Sequence, residues 1–439
     1  MSGKSLFEPG PRTRARNRAE RRFRAYGLAA IIVALLFLAG LLSIIVKNGT
    51  SAFRQTFITL EIALPESRLD KHGNRDPAEM AKVTTFKYAT LLDAALVEAL
   101  ANAGVKNPFS KAKKLRPLLS KGAAAQLRER VLAHPELIGQ TVTLDLLASA
   151  RVDGYFKGRV SRESVARDRK FTPLHLDMAD ALHRAGLVKT RFNLAFLTGS
   201  DASESRPEAA GIGTAALGSL AMMLVVLAGA LPLGVAASIY LEEFAAQNRL
   251  TDLIEVNISN LAAVPSIVFG ILGLALFIQI GGLPQSVPLV GGLVLTLMTL
   301  PTIIISTRAA LKAVPPSIRE AALGVGASKM QMIFHHVLPL AMPGIMTGTI
   351  IGLAQALGET APLLLIGMVG FVATNPPDGV SAAFLSPNSA MPAQIFEWAK
   401  RADPAWYERA WGGIILLILF LLAMNLAAIL LRRRFERRW

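Results

Sequence analysis

The chain has 439 residues, 52% of them hydrophobic and only 18% charged, with a formal net charge of +16. A soluble globular protein carries about 25% charged residues, so the deficit points to a bilayer. The basic residues cluster beside apolar runs, which fits topology better than a nucleic-acid face. There is no cysteine, which excludes disulfides, thiolate metal sites and cysteine nucleophiles, and the six histidines show no metal-ligand spacing.

Residues 1–25 form a basic head, "RTRARNRAERRFR" from Arg12 to Arg24, followed by the uncharged run Tyr26–Val46. At about 1.5 Å per residue that run crosses a ~30 Å hydrocarbon core. It exceeds the roughly 7–15 residues of a signal-peptide core and ends at no small-x-small site. It is read as a retained first transmembrane helix, 26–46, with the head in the cytoplasm by the positive-inside rule.

Residues 47–208 are different material, charged throughout and without a span-length apolar run. "TFITLEIALP" alternates like a strand and "YATLLDAALVEALANAG" has helical spacing. The expectation is a soluble α+β insert the size of one small domain, lying in the periplasm between helices 1 and 2.

From residue 209 to 432 the chain reads as a membrane core with five further helices. Ala209–Leu241 is one span. Val256–Thr307 carries no charge and is too long for one helix, so "GGLPQSVP" (281–288) is taken as the turn between two spans. Another span runs from about Pro343 to Gly370 with the single charge Glu359, and the last is Trp411–Leu431, before a basic tail at 433–439. Amphipathic "IFEWAKRADPAWYERA" precedes it. The prediction is an all-α polytopic membrane protein with six transmembrane helices and both termini cytoplasmic. Pro232, Pro265 and the many glycines are assigned to helix packing, where both residue types are tolerated.

One cytoplasmic segment stands out. In "EAALGVGASKMQMIFHHVLP" (320–339), Pro315-Pro316-Ser317 starts a helix and Glu320, Ala321 and Ala322 favour it. Gly324 and Gly326 interrupt it. A second helix places Met330, Ile333, Phe334 and Val337 on one face, and Pro339 and Pro343 close it before the next span. This pattern is a helix–turn–helix docking element at the membrane face.

The segment resembles the EAA loop of ABC-importer permeases through Glu320, Ala321, Ala322, Gly326, Leu338 and Pro339, with His336 where the family has Ile. The resemblance implies a coupling helix seated on a cytoplasmic ATPase, with Glu320 at the contact. "GIGTAALGSLAMM", "PLGVAASIYLEEFA", "VPSIVFGILGLALF" and "ALGETAPLL" resemble the PstA family of phosphate-importer permeases over 209–370. The implied partners are a related PstC-like permease, a PstB-like ATPase dimer and a PstS-like periplasmic binding protein, with membrane lipid around the core and no nucleic acid.

The chain carries no Walker A motif, since Gly3-Lys4-Ser5 lacks the upstream glycine. No catalytic residue, metal site or cofactor is therefore expected on this subunit; ATP and Mg²⁺ would sit on the ATPase partners. Glu359, Thr360, Gln355 and Arg308 are the candidate translocation path or gate. An ionisable residue within a span is costly and points to function, although Glu359 reads equally as a structural ion pair with the second permease or as a residue placed near the outer interface. Family members often carry Arg where this chain has Ile305 and Gln355; Arg308 is then either a displaced cation or a topology anchor. The competing readings are a permease for another oxyanion, and a secondary transporter or a membrane sensor that reads a signal through the insert.

Overall fold

The computed structural model describes residues 11–70, 72–168, 170–368 and 379–435. The Gly-Lys-Ser at 3–5, the end of the fifth predicted span with the start of the following loop (369–378), and the last basic residues (436–439) lie outside them.

Helix α1 (Pro11–Gly49) absorbs the basic head and the first apolar run into one rod of 39 residues. Only 6% of its apolar stretch is buried, as befits a helix apolar on every side that faces lipid. Its end touches the last helix, where Gly49 abuts the Trp411 carbonyl and Ile415.

The insert follows at once. Strand β1 (Arg54–Ala63) is the predicted alternating segment, and α2 (Thr85–Asn102) is the predicted helix. They are joined by α3 (Ala123–Ala133), β2 (Thr141–Leu147), α4 (Ala150–Phe156), α5 (Pro173–Arg184) and β3 (Val188–Phe192). The sheet is antiparallel in the order β2-β1-β3, with Leu60 opposite Leu144 and Ile58 opposite Val188. Ile58, Leu60 and Ile62 recur at the two-residue period of a strand face and share a core with Tyr88, Leu96, Leu127 and Leu182. The insert is thus α+β with its own hydrophobic core.

The membrane core begins with α6 (Gly213–Ile239), which continues as a π turn, Tyr240–Phe244. Next comes a departure from expectation. In place of a straight span starting near Val256, α7 (Arg249–Ala262) and α8 (Ser266–Gly273, prolonged as a π helix to Ile280) meet at a bend of 102°. Pro265 sits in the break: it has no N–H to continue the ladder, and the residue before it is pushed out of helical geometry. Its role is the bend, not packing alone. The predicted turn at 281–288 leads into α9 (Pro288–Lys312).

Helix α10 (Pro316–Gly324) precedes a continuous helix running from Lys329 through the π turn Met332–Val337 into α11 (Leu338–Gly358). Pro339 and Pro343 therefore do not close a separate helix, as had been expected. The wider π turn takes up the backbone bonds that Pro339 cannot make. The chain breaks instead at Glu359, because Pro362 in α12 (Ala361–Leu365) would collide with the carbonyl four residues earlier. Helices α13 (Met391–Lys400) and α14 (Ala405–Phe435) complete the described fold.

Among the described residues, five helices are long and apolar enough to cross a membrane, six if the bent pair counts as one. Close packing of α9 and α11 depends on small residues: a side chain on Gly348 would strike Ser306, and one on Gly344 would meet the Ala310 Cβ at 2.6 Å.

Candidate functional site

Pro316 opens α10 at a position where its missing N–H is unneeded. Three residues on, Arg319 starts the sequence Arg-Glu-Ala-Ala. Ala322 is buried against the cluster holding Met332, Ile333 and Val337, while Ala321 and Glu320 are exposed. The Glu320 carboxylate has no hydrogen-bond or ion-pair partner among the described residues. Gly326 then adopts φ +86°, a left-handed turn that favours glycine. Ser328 and Gln331 close a reciprocal cap that starts the next helix, at 3.2 and 2.9 Å. Leu338 and Pro339, half-buried, lie within that helix rather than at its end.

The expected stripe is only half realised. Ile333 and Val337 are buried, but Met330 and Phe334 are 52% and 48% exposed. The π turn carries more residues per turn than an α-helix, so it rotates the face, and Met332 takes the inner place.

The four candidate path residues do not form one site. Along the α9–α11 contact, Gly344 meets Ala310, Gly348 meets Ser306 and Gly352 meets Ile303. That antiparallel register places Arg308 level with Met346. Glu359 lies some thirteen residues farther along α11, roughly 20 Å away at 1.5 Å per residue.

Arg308 is instead held at the other end of the core. Its Nη2 lies 2.5 Å from Glu255 Oε1 on α7 and its Nε 3.5 Å from Glu242 Oε2 at the end of α6. Lys312 also faces Glu242, at 3.6 Å. Two carboxylates compensate this arginine, so it does not stand as a free phosphate site.

Gln355, Glu359 and Thr360 cluster where α11 stops. Glu359 is extended (φ −75°, ψ 131°), just past the helix instead of deep within it. The side chains of all three lack polar partners among the described residues.

Sequence reasoning missed a third charged region, where the insert meets α13 and α14. Lys157 lies 2.6 Å from Asp153 and 3.0 Å from Glu408, and Arg159 also pairs with Glu408. Arg409, 1% exposed, donates to Gln55 Oε1 at 2.9 Å and to the carbonyls of Pro207 and Glu208 at 3.0 Å. Asp201 accepts from Trp398 at 2.8 Å and from Arg401 at 2.7 Å. Ser120 donates to the buried Glu208 at 2.5 Å, and burial pushes that carboxyl above the usual range. The available signal was Glu408-Arg409, an adjacent charged pair just before an apolar run.

Residues 230–439 match the family described as "binding-protein-dependent transport system inner membrane component", and residues 11–166 match a domain of unknown function, DUF3333. Phosphate transport system permease protein PstA 1 of Mycobacterium tuberculosis (strain CDC 1551 / Oshkosh) is 33% identical over 224 residues, which cover 51% of this chain and 71% of that protein. The chain belongs to the PstA permease family.

The PstA of Yersinia pestis agrees, at 32% identity over 50% of this chain and 71% of that one. The probable ABC transporter permease YqgI of Bacillus subtilis is 30% identical, covering 50% and 76%. A solved structure of the MetNI methionine ABC transporter, inward facing, overlaps at 18% identity and a TM-score of 0.38, covering 50% of this chain and 94% of that one. As a PstA-family member the chain is a multi-pass inner-membrane permease subunit. The DUF3333 match ties α1 and most of the insert into one module ahead of the permease core.

Proposed function

We propose that this chain is the membrane-spanning subunit of an ATP-driven importer of inorganic phosphate, and that it turns ATPase closure into helix movement through α10. The carrying observation is Glu320: an exposed carboxylate without a partner among the described residues, on a short helix whose opposite side is packed into the core through Ala322. In this reading Glu320, Ala321, Ala322 and the Gly326 turn form the surface for a PstB-like ATPase dimer, and Leu338-Pro339 carry its motion into α11. ATP and Mg²⁺ belong to those partners.

The bent pair α7–α8 is read as one span, giving six crossings. The arginines of the head, Arg308, Lys312, Arg319 and Lys329 then all fall on the cytoplasmic side, together with both termini. The insert falls in the periplasm, on the side of the PstS-like binding protein, while a PstC-like permease completes the pore. Glu359, with Gln355 and Thr360, marks the gate: it lies where α11 is broken and its carboxylate is left for a group outside the described residues. A carboxylate repels phosphate, so its partner there is a cation of the second permease.

The test is uptake of labelled phosphate at micromolar concentration in cells lacking the gene, complemented with wild type or Glu320→Arg at matched membrane level. Rescue by wild type and loss in the variant is the expected result. Failure of wild type, with partners present, removes phosphate and leaves another oxyanion, or a sensor or secondary transporter. Full uptake by Glu320→Arg removes the coupling role while leaving phosphate import intact.

A further inference from the structure

Arg319, the residue before Glu320, is the most heavily engaged side chain of the coupling helix. Its Nε and Nη2 donate to Glu243 Oε1 at 3.1 and 2.9 Å; Nη2 also donates to the Leu311 carbonyl at 2.8 Å and Nη1 to the Val314 carbonyl at 2.7 Å. Leu311 and Val314 lie in and just past the last turn of α9, where carbonyls lack the usual donor four residues on and the helix dipole is negative; the Leu311 carbonyl also accepts from the Val314 N–H at 3.2 Å. Glu243 sits in the π turn that ends α6. One guanidinium therefore ties α10 to the ends of α6 and α9, and it is the only ion pair that α10 makes among the described residues.

Its surroundings leave few alternatives. The Arg319 side chain is 20% exposed and Glu243 7%, so the pair is largely shielded from competing water and salt. Apolar contacts through Ala322 fix α10 to the helix entering α11, but they are non-directional. A planar fork that fills two carbonyls and one carboxylate oxygen is directional, and lysine cannot reproduce it.

We propose that Arg319 is the positioning residue that makes α10, α9 and the end of α6 move as one body, so that force applied at Glu320 reaches the membrane helices through it. The inference rests on the coupling reading above, but one arm of its test does not depend on the substrate.

Because this chain has no cysteine, Ser317→Cys on α10 and Ile305→Cys on α9 give one spin-label pair on it, attached to the purified chain before assembly with its partners. With Arg319 present, the label distance stays the same with and without ATP. In Arg319→Gln it shifts or broadens on ATP addition, and phosphate moved per ATP hydrolysed falls about tenfold, equivalent to ~1.4 kcal/mol of lost coupling. Arg319→Lys restores little of either. An ATP-dependent distance change in wild type, or an unchanged distance and ratio in Arg319→Gln, overturns the proposal. If Arg319→Gln fails to accumulate, Glu243→Gln tests the same link from the other side and is held to the same two outcomes. A wild-type complex that moves no phosphate, yet shows the distance behaviour described, removes the phosphate reading and keeps the role of Arg319.

Discussion

Two charged junctions hold this molecule together, and they are built to different standards. At the seam between the insert and α14, the Lys157, Asp153 and Glu408 side chains are 5%, 2% and 2% exposed. At the junction of α6, α7 and α9, Arg308, Glu255 and Lys312 are 15%, 37% and 59% exposed. In the seam every charge must have a partner, because an unpaired ion in a low-dielectric interior is expensive. At the other junction water can replace a lost partner, so a contact can exchange at little cost. The seam is a fixed joint that makes the insert an extension of α14, whereas the other junction can rearrange. Arg319 and Glu243, at 20% and 7% exposed, lie between these extremes.

Breaking the seam gives the largest effect. Glu408→Ala leaves Lys157 and Arg159 facing each other without a carboxylate from α14, and should cost about 3–5 kcal/mol. The loss is read as a lower unfolding temperature and a lower yield of purified full chain. Glu408→Gln keeps a hydrogen-bonding oxygen and should lose less. Equal stability of Glu408→Ala and wild type would mean that the seam opens in solution.

Glu208 sharpens the same contrast through pH. Burial raises its carboxyl, against the opposing effects of the Ser120 hydrogen bond and the Arg409 charge; Asp153 nearby raises it further. A folded-state value above the unfolded one means that this contribution is fully present below the ordinary carboxyl range. It is lost as pH climbs through the raised value. Thermal unfolding across that window should show wild type losing stability with rising pH, while Glu208→Gln, unable to ionise, declines less steeply. Parallel profiles would show that Glu208 does not titrate differently in the folded chain.

The smallest effect belongs to the exposed pair. Lys312→Gln should change stability by no more than ~0.5–1 kcal/mol, and the difference should shrink in high salt. A larger, salt-independent loss would show that this junction is as closed as the seam and end the comparison.

The sequence was most legible where the signal is local. The β1 alternation, the helical spacing of 88–104 and the Gly326 turn each follow from neighbouring residues, and each lies within about three residues of its expected place. The boundaries of α11 were less legible, since a π turn changes the residue count per turn and lets a helix pass through Pro339. The bend at Pro265 was misjudged because proline in a membrane helix is compatible with a kink, a break or plain packing, and only the neighbours choose. Within the candidate site, α10, the Gly326 turn and the start of the next helix were readable in one stretch. Arg308 was not, because its meaning depends on Glu255, 53 residues away.

By itself, then, the sequence determined which segments prefer lipid, which fold in water and where α10 begins and turns, because hydropathy, period and capping act over a few residues. Only the tertiary structure decided which charges meet. Lys157 and Glu408 are 251 residues apart and become partners only when the insert settles on α14. An ion pair depends on distance and on the exclusion of water, and neither exists until the chain has packed.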